Sequence, residues 1–319
     1  MLRAILLYLS NASWARRIVT GWGVARRMAS RFIAGDEIGQ ALQAVRRLNE
    51  EGLFTSLDHL GEGITNTQEA LEATDAYIEV LQQLNDTGVR SNCSLKLSQL
   101  GLALDPELAL SNMRCIATRA REFETMVRID MEDSSTVDET LSIQRKLLEE
   151  GFTNIGVVIQ AYLYRSEEDV RSLVAAGTRI RLCKGAYNEP ASAAFPRKSD
   201  VDANFDRLTS MMIDAAFKQG SIASSPNGRV PPLAAIATHD ETRIEHACRH
   251  AEEVGLPKGA LEFQMLHGIR TDLQQSLAAA GYPVRIYVPY GTQWYPYFMR
   301  RLAERPANLW FFLSAFFRR

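Results

Sequence analysis

From residue 53 onward the apolar positions of the chain follow two alternating spacings. Short runs rich in β-branched, aromatic and other apolar residues are each followed by a longer segment whose apolar residues recur at helical spacing. The short runs cover residues 54–57, 93–97, 126–129, 155–159, 179–182, 234–238, 261–265 and 284–288. The segments between them carry helix punctuation. Asn66 with Glu69, and Thr136 with Glu139, have the spacing of a capping box. Asp105-Pro106 places an N-cap before a proline at the first helical position. Gly88, Gly151, Gly177 and Gly281 follow helical runs, where a left-handed residue closes a helix. Val137, Leu141, Leu147 and Leu148 form one apolar stripe. Strands that alternate with helices pair in parallel, and eight such units in about 265 residues predict an α/β chain folded as a (β/α)8 TIM-type barrel. A doubly wound open sheet is the competing reading, but no G-x-G-x-x-G follows the first strand-like run.

Ahead of the barrel, residues 37–49 predict a helix with Ile38, Leu42, Val45 and Leu48 on one face. The expected organisation is an N-terminal helical segment, residues 1–49, packed on a barrel of residues 50–319 within one domain overall. Residues 220–232, rich in Gly, Ser and Pro, read as a surface loop without catalytic content.

Composition narrows the function classes. The formal net charge is −2, so nothing global suggests a nucleic-acid partner. Four cysteines without C-x-x-C spacing fit reduced thiols. No apolar run has the roughly 18 residues of a membrane span. Residues 1–35 contain six arginines and no acid, which fits either a targeting or interfacial segment or basic helices packed on the main domain. The tail from Leu309 to Phe317 is apolar at eight of nine positions and ends in two arginines. It reads either as a cover for a barrel flank or as a peripheral membrane contact. The expected location is cytoplasmic, with that tail on the inner face of a membrane in the second reading. Equal liposome co-sedimentation of the full chain and of residues 1–308 would rule the membrane contact out.

In a barrel of this kind the active site lies at the C-terminal ends of the strands. The polar residues there are Asp58 and Glu62 after the first run, Lys96 after the second, Asp130 and Glu132 after the third, and Gln160 and Tyr162 after the fourth. Arg181, Lys184 and Tyr187 follow from the fifth, Thr238, His239 and Asp240 from the sixth, Gln264 and His267 from the seventh, and Tyr287 from the eighth. Next, Arg300 and Arg301 stand together near the start of a helix, where cations are disfavoured. An anion held by guanidinium forks explains such a pair, and so does a solvated basic face with Glu304 as partner. Lys96, Arg181, Lys184, Arg300 and Arg301 together favour a ligand with phosphates, a carboxylate, or both. Gly185 and Ala186 would let a ligand approach the backbone, while a lone lysine at a strand end leaves Schiff-base chemistry open. No metal site is expected: His246, Cys248 and His250 lie well inside a helix.

The same residues fall in ordered motifs: L-K-L-S at 95–98, R-I-D-M-E-D at 128–133, Q-A-Y-L-Y-R at 160–165 and R-L-C-K-G-A-Y at 181–187. A-T-H-D at 237–240, E-F-Q-M-L-H-G at 262–268, and Y-V-P-Y-G with W-Y-P-Y-F-M-R-R-L-A-E at 287–304 complete the set. The chain resembles monofunctional proline dehydrogenase, the flavoenzyme also found as a domain of the bifunctional proline utilization A proteins, over essentially its whole length. The resemblance implies a distorted (β/α)8 barrel that binds FAD and carries its last helix over the mouth. It implies oxidation of L-proline to Δ1-pyrroline-5-carboxylate by hydride transfer from proline C5 to flavin N5, with electrons passed to a membrane quinone. By the same resemblance Arg300, Arg301 and Lys96 hold the proline carboxylate, Glu304 steadies an arginine, and Glu62 pairs with Arg301 as a gate. Asp130 orients the cations, and Tyr187, Tyr287, Tyr297 and Leu266 wall the ring. Gln160 and Arg181 contact the isoalloxazine, with Arg181 stabilising negative charge on the reduced ring. Lys184, Gly185 and Ala186 bind the pyrophosphate and ribityl chain, and Thr238, His239 and Gln264 the ribityl–adenosine part. His267 and the length of the 220–232 loop are small departures from the family pattern.

Overall fold

The computed structural model describes residues 12–20, 23–61 and 63–304, together with Leu6 and Leu9. In chain order the elements are α1 (Ser13–Thr20), α2 (Gly23–Ala29), α3 (Ile38–Glu50), β1 (Phe54–His59), α4 (Thr67–Thr87), β2 (Ser91–Lys96), α5 (Pro106–Glu122) and β3 (Val127–Asp130). They continue with α6 (Val137–Glu149), β4 (Ile155–Gln160), α7 (Ser166–Ala175), β5 (Arg179–Cys183), α8 (Lys198–Lys218) and β6 (Ala234–Ala237). The last are α9 (Glu241–Val254), β7 (Leu261–Leu266), α10 (Thr271–Ala279), β8 (Val284–Tyr290) and α11 (Tyr295–Glu304). All eight expected strands form. They pair in parallel in sequence order, and β8 returns to β1 to close the barrel. The open-sheet reading is therefore excluded.

Side chains alternate between the two faces of a strand, and here the alternation separates polar from apolar residues. Leu57, Leu95, Ile129, Val157, Phe263 and Ile286 are buried in the layer shared with the helices. Many of the intervening positions carry polar groups that bond between strands inside the barrel, as Ser56 does with Ser94 at 2.9 Å. Most barrels of this type fill that space with branched apolar residues. Lower in the barrel Arg285 donates to both oxygens of Glu262, at 2.8 and 3.0 Å, and to the Thr55 carbonyl. Beside them Arg128 is fully buried and donates to the Val157 and Arg179 carbonyls. A Cβ on Gly156 would stand 2.9 Å from the Arg128 guanidinium, so the absence of a side chain on β4 makes the space for it.

Helix ends follow the sequence signals with two departures. The first is that the Glu69 side chain accepts from the Thr65 amide at 2.6 Å rather than from that of Asn66, so only half of that capping box forms. Asn66 accepts from the Glu69 amide and Asp105 from the Glu107 amide, both at 3.0 Å. Gly88, Gly151, Gly177 and Gly281 all have φ between +64° and +90°. The expected capping box at Thr136 does not form. A 3-10 turn, Ser134–Thr136, precedes α6, and Asp133 caps that turn while the Thr136 hydroxyl bonds the Asp133 carbonyl. An acid three residues upstream offers a stronger acceptor than the threonine, so the cap moves to it.

Two features set where the site can lie. First, α3 packs against β1 and β8 and its Ala41, Leu42 and Val45 belong to the barrel's main apolar core. It fills the flank that a helix after β8 would otherwise cover. Second, α11, freed from that position, buries Tyr295, Phe298 and Leu302 in a separate apolar cluster with Ala15, Ala25, Met28 and Phe32 of the N-terminal segment. Leu266 and Tyr287, from strands β7 and β8, pack against the same cluster, so α11 lies at the C-terminal end of the barrel. The opposite end is closed by residues 220–232. There Ser224 bonds Glu262, the Asn92 amide donates to the Arg229 carbonyl, and the Arg229 side chain reaches the carbonyls of Leu84 and Phe123. The segment is the expected surface loop, with Ile222 exposed, and it also closes this end of the barrel, because its polar groups satisfy charges and helix ends that would otherwise be orphaned.

Candidate active site

At the C-terminal ends of β1, β2, β3, β5, β7 and β8, inward-facing residues form one connected polar centre. The Tyr287 hydroxyl lies 2.6 Å from Asp58 Oδ2 and 2.8 Å from Asp130 Oδ2. Lys96 Nζ donates to Asp58 Oδ2 at 3.1 Å. Arg181 donates to Asp130 Oδ1 at 2.7 Å, to Ser94 Oγ at 3.0 Å, and through Nε to Gln264. Its guanidinium also lies 5.3 Å from the centre of the Tyr287 ring. Behind them Gln264 donates to Glu262 at 2.6 Å, which joins this centre to the Arg285–Glu262 pair below. Register explains the convergence: Lys96 pairs with Asp130 and Ser56 with Tyr287 across neighbouring strands, so all reach the same height.

Burial dominates the titration of the centre. It raises the Asp130 carboxyl above the ordinary carboxylate range, while Arg181 and Lys96 pull the other way. It also lifts the Tyr287 hydroxyl well above its usual value, reinforced by the negative charge of Asp130 and Asp58. Tyr287 is therefore a neutral hydrogen-bonding group near neutral pH.

The centre is overlaid by α11. Arg300 is buried, with its guanidinium 5.9 Å from the centre of the Tyr187 ring, and Arg301 lies 5.1 Å from that of Tyr297. Tyr187 comes from the segment after β5 and Tyr297 from α11 itself. The arginine pair is thus brought to the barrel mouth and stacked on aromatics. Glu62 and the Glu304 side chain lie outside the described residues, as does the tail from Leu309 to Phe317.

Apart from Gln264 on β7, the expected cofactor residues occupy the β4–β6 side. Gln160 Nε2 has only a long bond, 3.4 Å, to the Met131 carbonyl, and its buried Oε1 has no hydrogen-bond partner among the described residues. A buried amide oxygen left in that state is costly unless a ligand N–H completes it. Arg181 uses three of its five N–H groups on Gln264, Asp130 and Ser94, which leaves two for a ligand. Both observations fit a planar heterocycle with N–H donors and acceptors. Lys184 lies between two acids: its ammonium holds Asp202 and, at 2.7 Å, Asp240. Burial alone would raise both carboxyls, but hydrogen bonds and charge from Lys184, joined at Asp202 by Lys198, hold them below the ordinary range. Gly185 has φ +112°, and a Cβ there would meet the Tyr162 ring at 2.4 Å. The glycine therefore serves the packing of Tyr162 against the chain. Thr238 is buried, and its hydroxyl accepts from the Asp240 amide at 3.1 Å. His239 Nε2 accepts from the Leu266 amide at 3.0 Å, which places the ring proton on Nδ1 when the ring is neutral.

Sequence reasoning noted Asp58 but gave it no role, and it missed Ser94, Glu262 and Arg285. The missed signal was in the period-2 pattern: a charged residue inside a strand-like run of a closed barrel must point inward and must have a partner. No group of three or more His, Cys, Asp or Glu side chains able to hold a metal occurs among the described residues, and His246 and His250 are engaged with Ser210 and Asp214. Among the described residues no helix is long and apolar enough to cross a membrane.

Known proteins are similar to this chain over nearly its full length. A profile of the proline dehydrogenase family matches residues 41–312. The chain is 41% identical over 314 residues to proline dehydrogenase 1 of Bacillus subtilis, covering 98% of both chains. It is 42% identical over 285 residues to a proline dehydrogenase of Deinococcus radiodurans, covering 88% of this chain and 87% of that one. The crystal structure of proline utilization A from Bdellovibrio bacteriovorus inactivated by N-propargylglycine superposes with a TM-score of 0.77 at 26% identity. That match covers 88% of this chain and 33% of the larger protein. With the barrel, its polar interior and the helix across its mouth all in a chain that these relatives match almost end to end, this protein is a member of the proline dehydrogenase family.

Proposed function

We propose that the chain oxidises L-proline to Δ1-pyrroline-5-carboxylate, the first step of proline breakdown towards glutamate, with FAD as cofactor and a membrane quinone as final electron acceptor. Near full-length similarity to proline dehydrogenases carries the substrate. The single structural observation that carries the site is the convergence of Lys96, Asp58, Asp130, Arg181 and Tyr287 beneath Arg300 and Arg301.

FAD, when bound, supplies a hydride acceptor for the hydrogen on proline C5. The protein residues have the remaining tasks. Arg300 and Arg301 clamp the substrate carboxylate, with Lys96 as a third cation from the floor, which fixes one end of a small rigid ring. Tyr187, Tyr287, Tyr297 and Leu266 wall the ring and exclude water. Glu304 steadies an arginine, and Glu62 pairs with Arg301 as a gate. Asp130 holds Arg181 in a fixed orientation, so the two remaining N–H groups of Arg181 face the cofactor as a preorganised donor pair. Gln160 completes the isoalloxazine contact through its unpartnered Oε1. Lys184, Gly185 and Ala186 take the pyrophosphate and ribityl chain, and Lys184 then exchanges part of its bonding to Asp202 and Asp240 for phosphate. Thr238, His239 and Gln264 support the ribityl–adenosine part. Release of electrons to a quinone dissolved in lipid gives the apolar tail from Leu309 to Phe317 its proposed use as a peripheral contact.

The test is the visible spectrum of the purified protein. Flavin absorbance that bleaches anaerobically on addition of L-proline is the expected result. A colourless protein that cannot be reconstituted with FAD, or a bound flavin indifferent to L-proline, overturns the reading.

A further inference from the structure

The floor of the pocket contains a hydrogen-bond count that does not close with every acid ionised. A phenol has one proton, yet the Tyr287 oxygen stands at full hydrogen-bond distance from two carboxylate oxygens, Asp58 Oδ2 at 2.6 Å and Asp130 Oδ2 at 2.8 Å. It can donate to one of them. At the other contact two oxygen lone pairs would face each other, with a full negative charge on one, inside a buried centre. The contact becomes favourable when that second carboxyl carries a proton and donates it to the phenol oxygen. We propose that Asp58, Tyr287 and Asp130 form a shared-proton centre in which the two carboxyls hold one proton between them near neutral pH, and that Asp58 is the residue that makes this possible.

The surroundings fit a pair with a single negative charge. Asp58 faces Lys96 from β2 and Tyr77 from α4, whose hydroxyl is 3.4 Å from Oδ1, with His59, Cys93 and Tyr290 close by. Asp130 faces Arg181 from β5 and senses Lys96. Arg128, Arg285 and Glu262 lie lower in the barrel, and Glu262 is already matched by Arg285. With both acids ionised, Lys96 and Arg181 are cancelled by Asp58 and Asp130. With one proton in the pair, the floor keeps one unit of positive charge directed at the space under Arg300 and Arg301. That charge favours an anionic substrate group there. Like carboxylates held close together share a proton for the same reason elsewhere. Asp58 is thus a positioning residue: it fixes Tyr287 and sets the charge of the floor, without a contact to the reacting atoms.

This role for Asp58 rests on the proposed function, but its test does not, since it needs neither proline nor flavin reduction. Infrared spectra of the purified full-length chain, with aspartate carrying a 13C label in its side-chain carboxyl, separate protonated from ionised carboxyls. Near neutral pH the unmodified chain should show a protonated-aspartate band that titrates away as pH rises. Asp58→Asn should lose the band, because the amide donates to Tyr287 and leaves Asp130 ionised on Arg181. Asp130→Asn should lose it too, which covers the case in which one variant fails to fold. Absence of the band in the unmodified chain at neutral pH overturns the proposal, and so does a band that persists in both variants. Loss of the band in the variants together with unchanged flavin bleaching by proline would leave the proton assignment standing and remove only the link to substrate.

Discussion

Arg301→Met and Arg300→Met are each expected to weaken apparent proline affinity by roughly ten- to a hundredfold while leaving flavin content unchanged. The size follows from charge-assisted hydrogen bonds, about 1.5–3 kcal/mol each, with about 1.4 kcal/mol per factor of ten. Methionine keeps much of the stem that packs against Tyr187 or Tyr297, so the loss isolates the guanidinium. Arg300 is the more buried of the two and should also cost some protein stability. The measurement is the proline dependence of flavin bleaching, with absorbance recording the flavin bound per chain. Equal proline affinity in the parent and in both variants eliminates the carboxylate clamp. Loss of flavin in parallel with affinity would instead make the pair part of the cofactor site.

A second large effect lies outside the substrate pocket. Glu262→Gln should destabilise the fold by about 3–5 kcal/mol, the usual cost of removing one member of a buried ion pair. Glu262 and Arg285 are almost entirely shielded from water, with side chains 0% and 1% exposed. Glu262 also accepts from Gln264 and Ser224, so the change disturbs both the upper centre and the floor loop. Against a total stability of about 5–15 kcal/mol for a folded domain, the loss is large. Denaturant unfolding of parent and variant would measure it. A shift under about 1 kcal/mol, with the slope of the transition unchanged, would mean that the interior pair is not fixing the barrel. Replacing both partners, as in Glu262→Gln with Arg285→Met, should be less damaging than the single change, since no uncompensated charge is left.

Much of the architecture was legible because it is written in local periodicity. A strand of alternating or wholly apolar residues, a glycine with positive φ at Gly88 or Gly281, and an Asp105-Pro106 start are decided by sterics and hydrogen bonding within a few residues. Eight repeats of that local grammar leave few topologies other than a closed parallel barrel. The capping box at Thr136 failed for an equally local reason, competition from Asp133, which the spacing rule does not weigh. The 220–232 segment is the expected surface loop, but its second role, closing the far end of the barrel, was not legible in its composition. Its partners, Glu262, Asn92 and the carbonyls of Leu84 and Phe123, lie far away in sequence.

The site divides along the same line. Residue types and motif order determined the family, the barrel and the cationic character of the mouth, including the arginine pair at positions 300 and 301. Tertiary structure alone decided which charged groups meet. Lys96 goes to Asp58, Arg181 to Asp130, and Lys184 to Asp202 and Asp240, while Tyr287 bridges two acids that are 72 residues apart, 130 minus 58. Only closure of β8 onto β1 brings Tyr287 to Asp58, and only the shared strand register lifts Lys96 and Asp130 to the same level. Local sequence sets strand and helix at low cost in chain entropy, but the pairing of buried charges is set by distances of a few ångströms between segments that meet only once the barrel has closed.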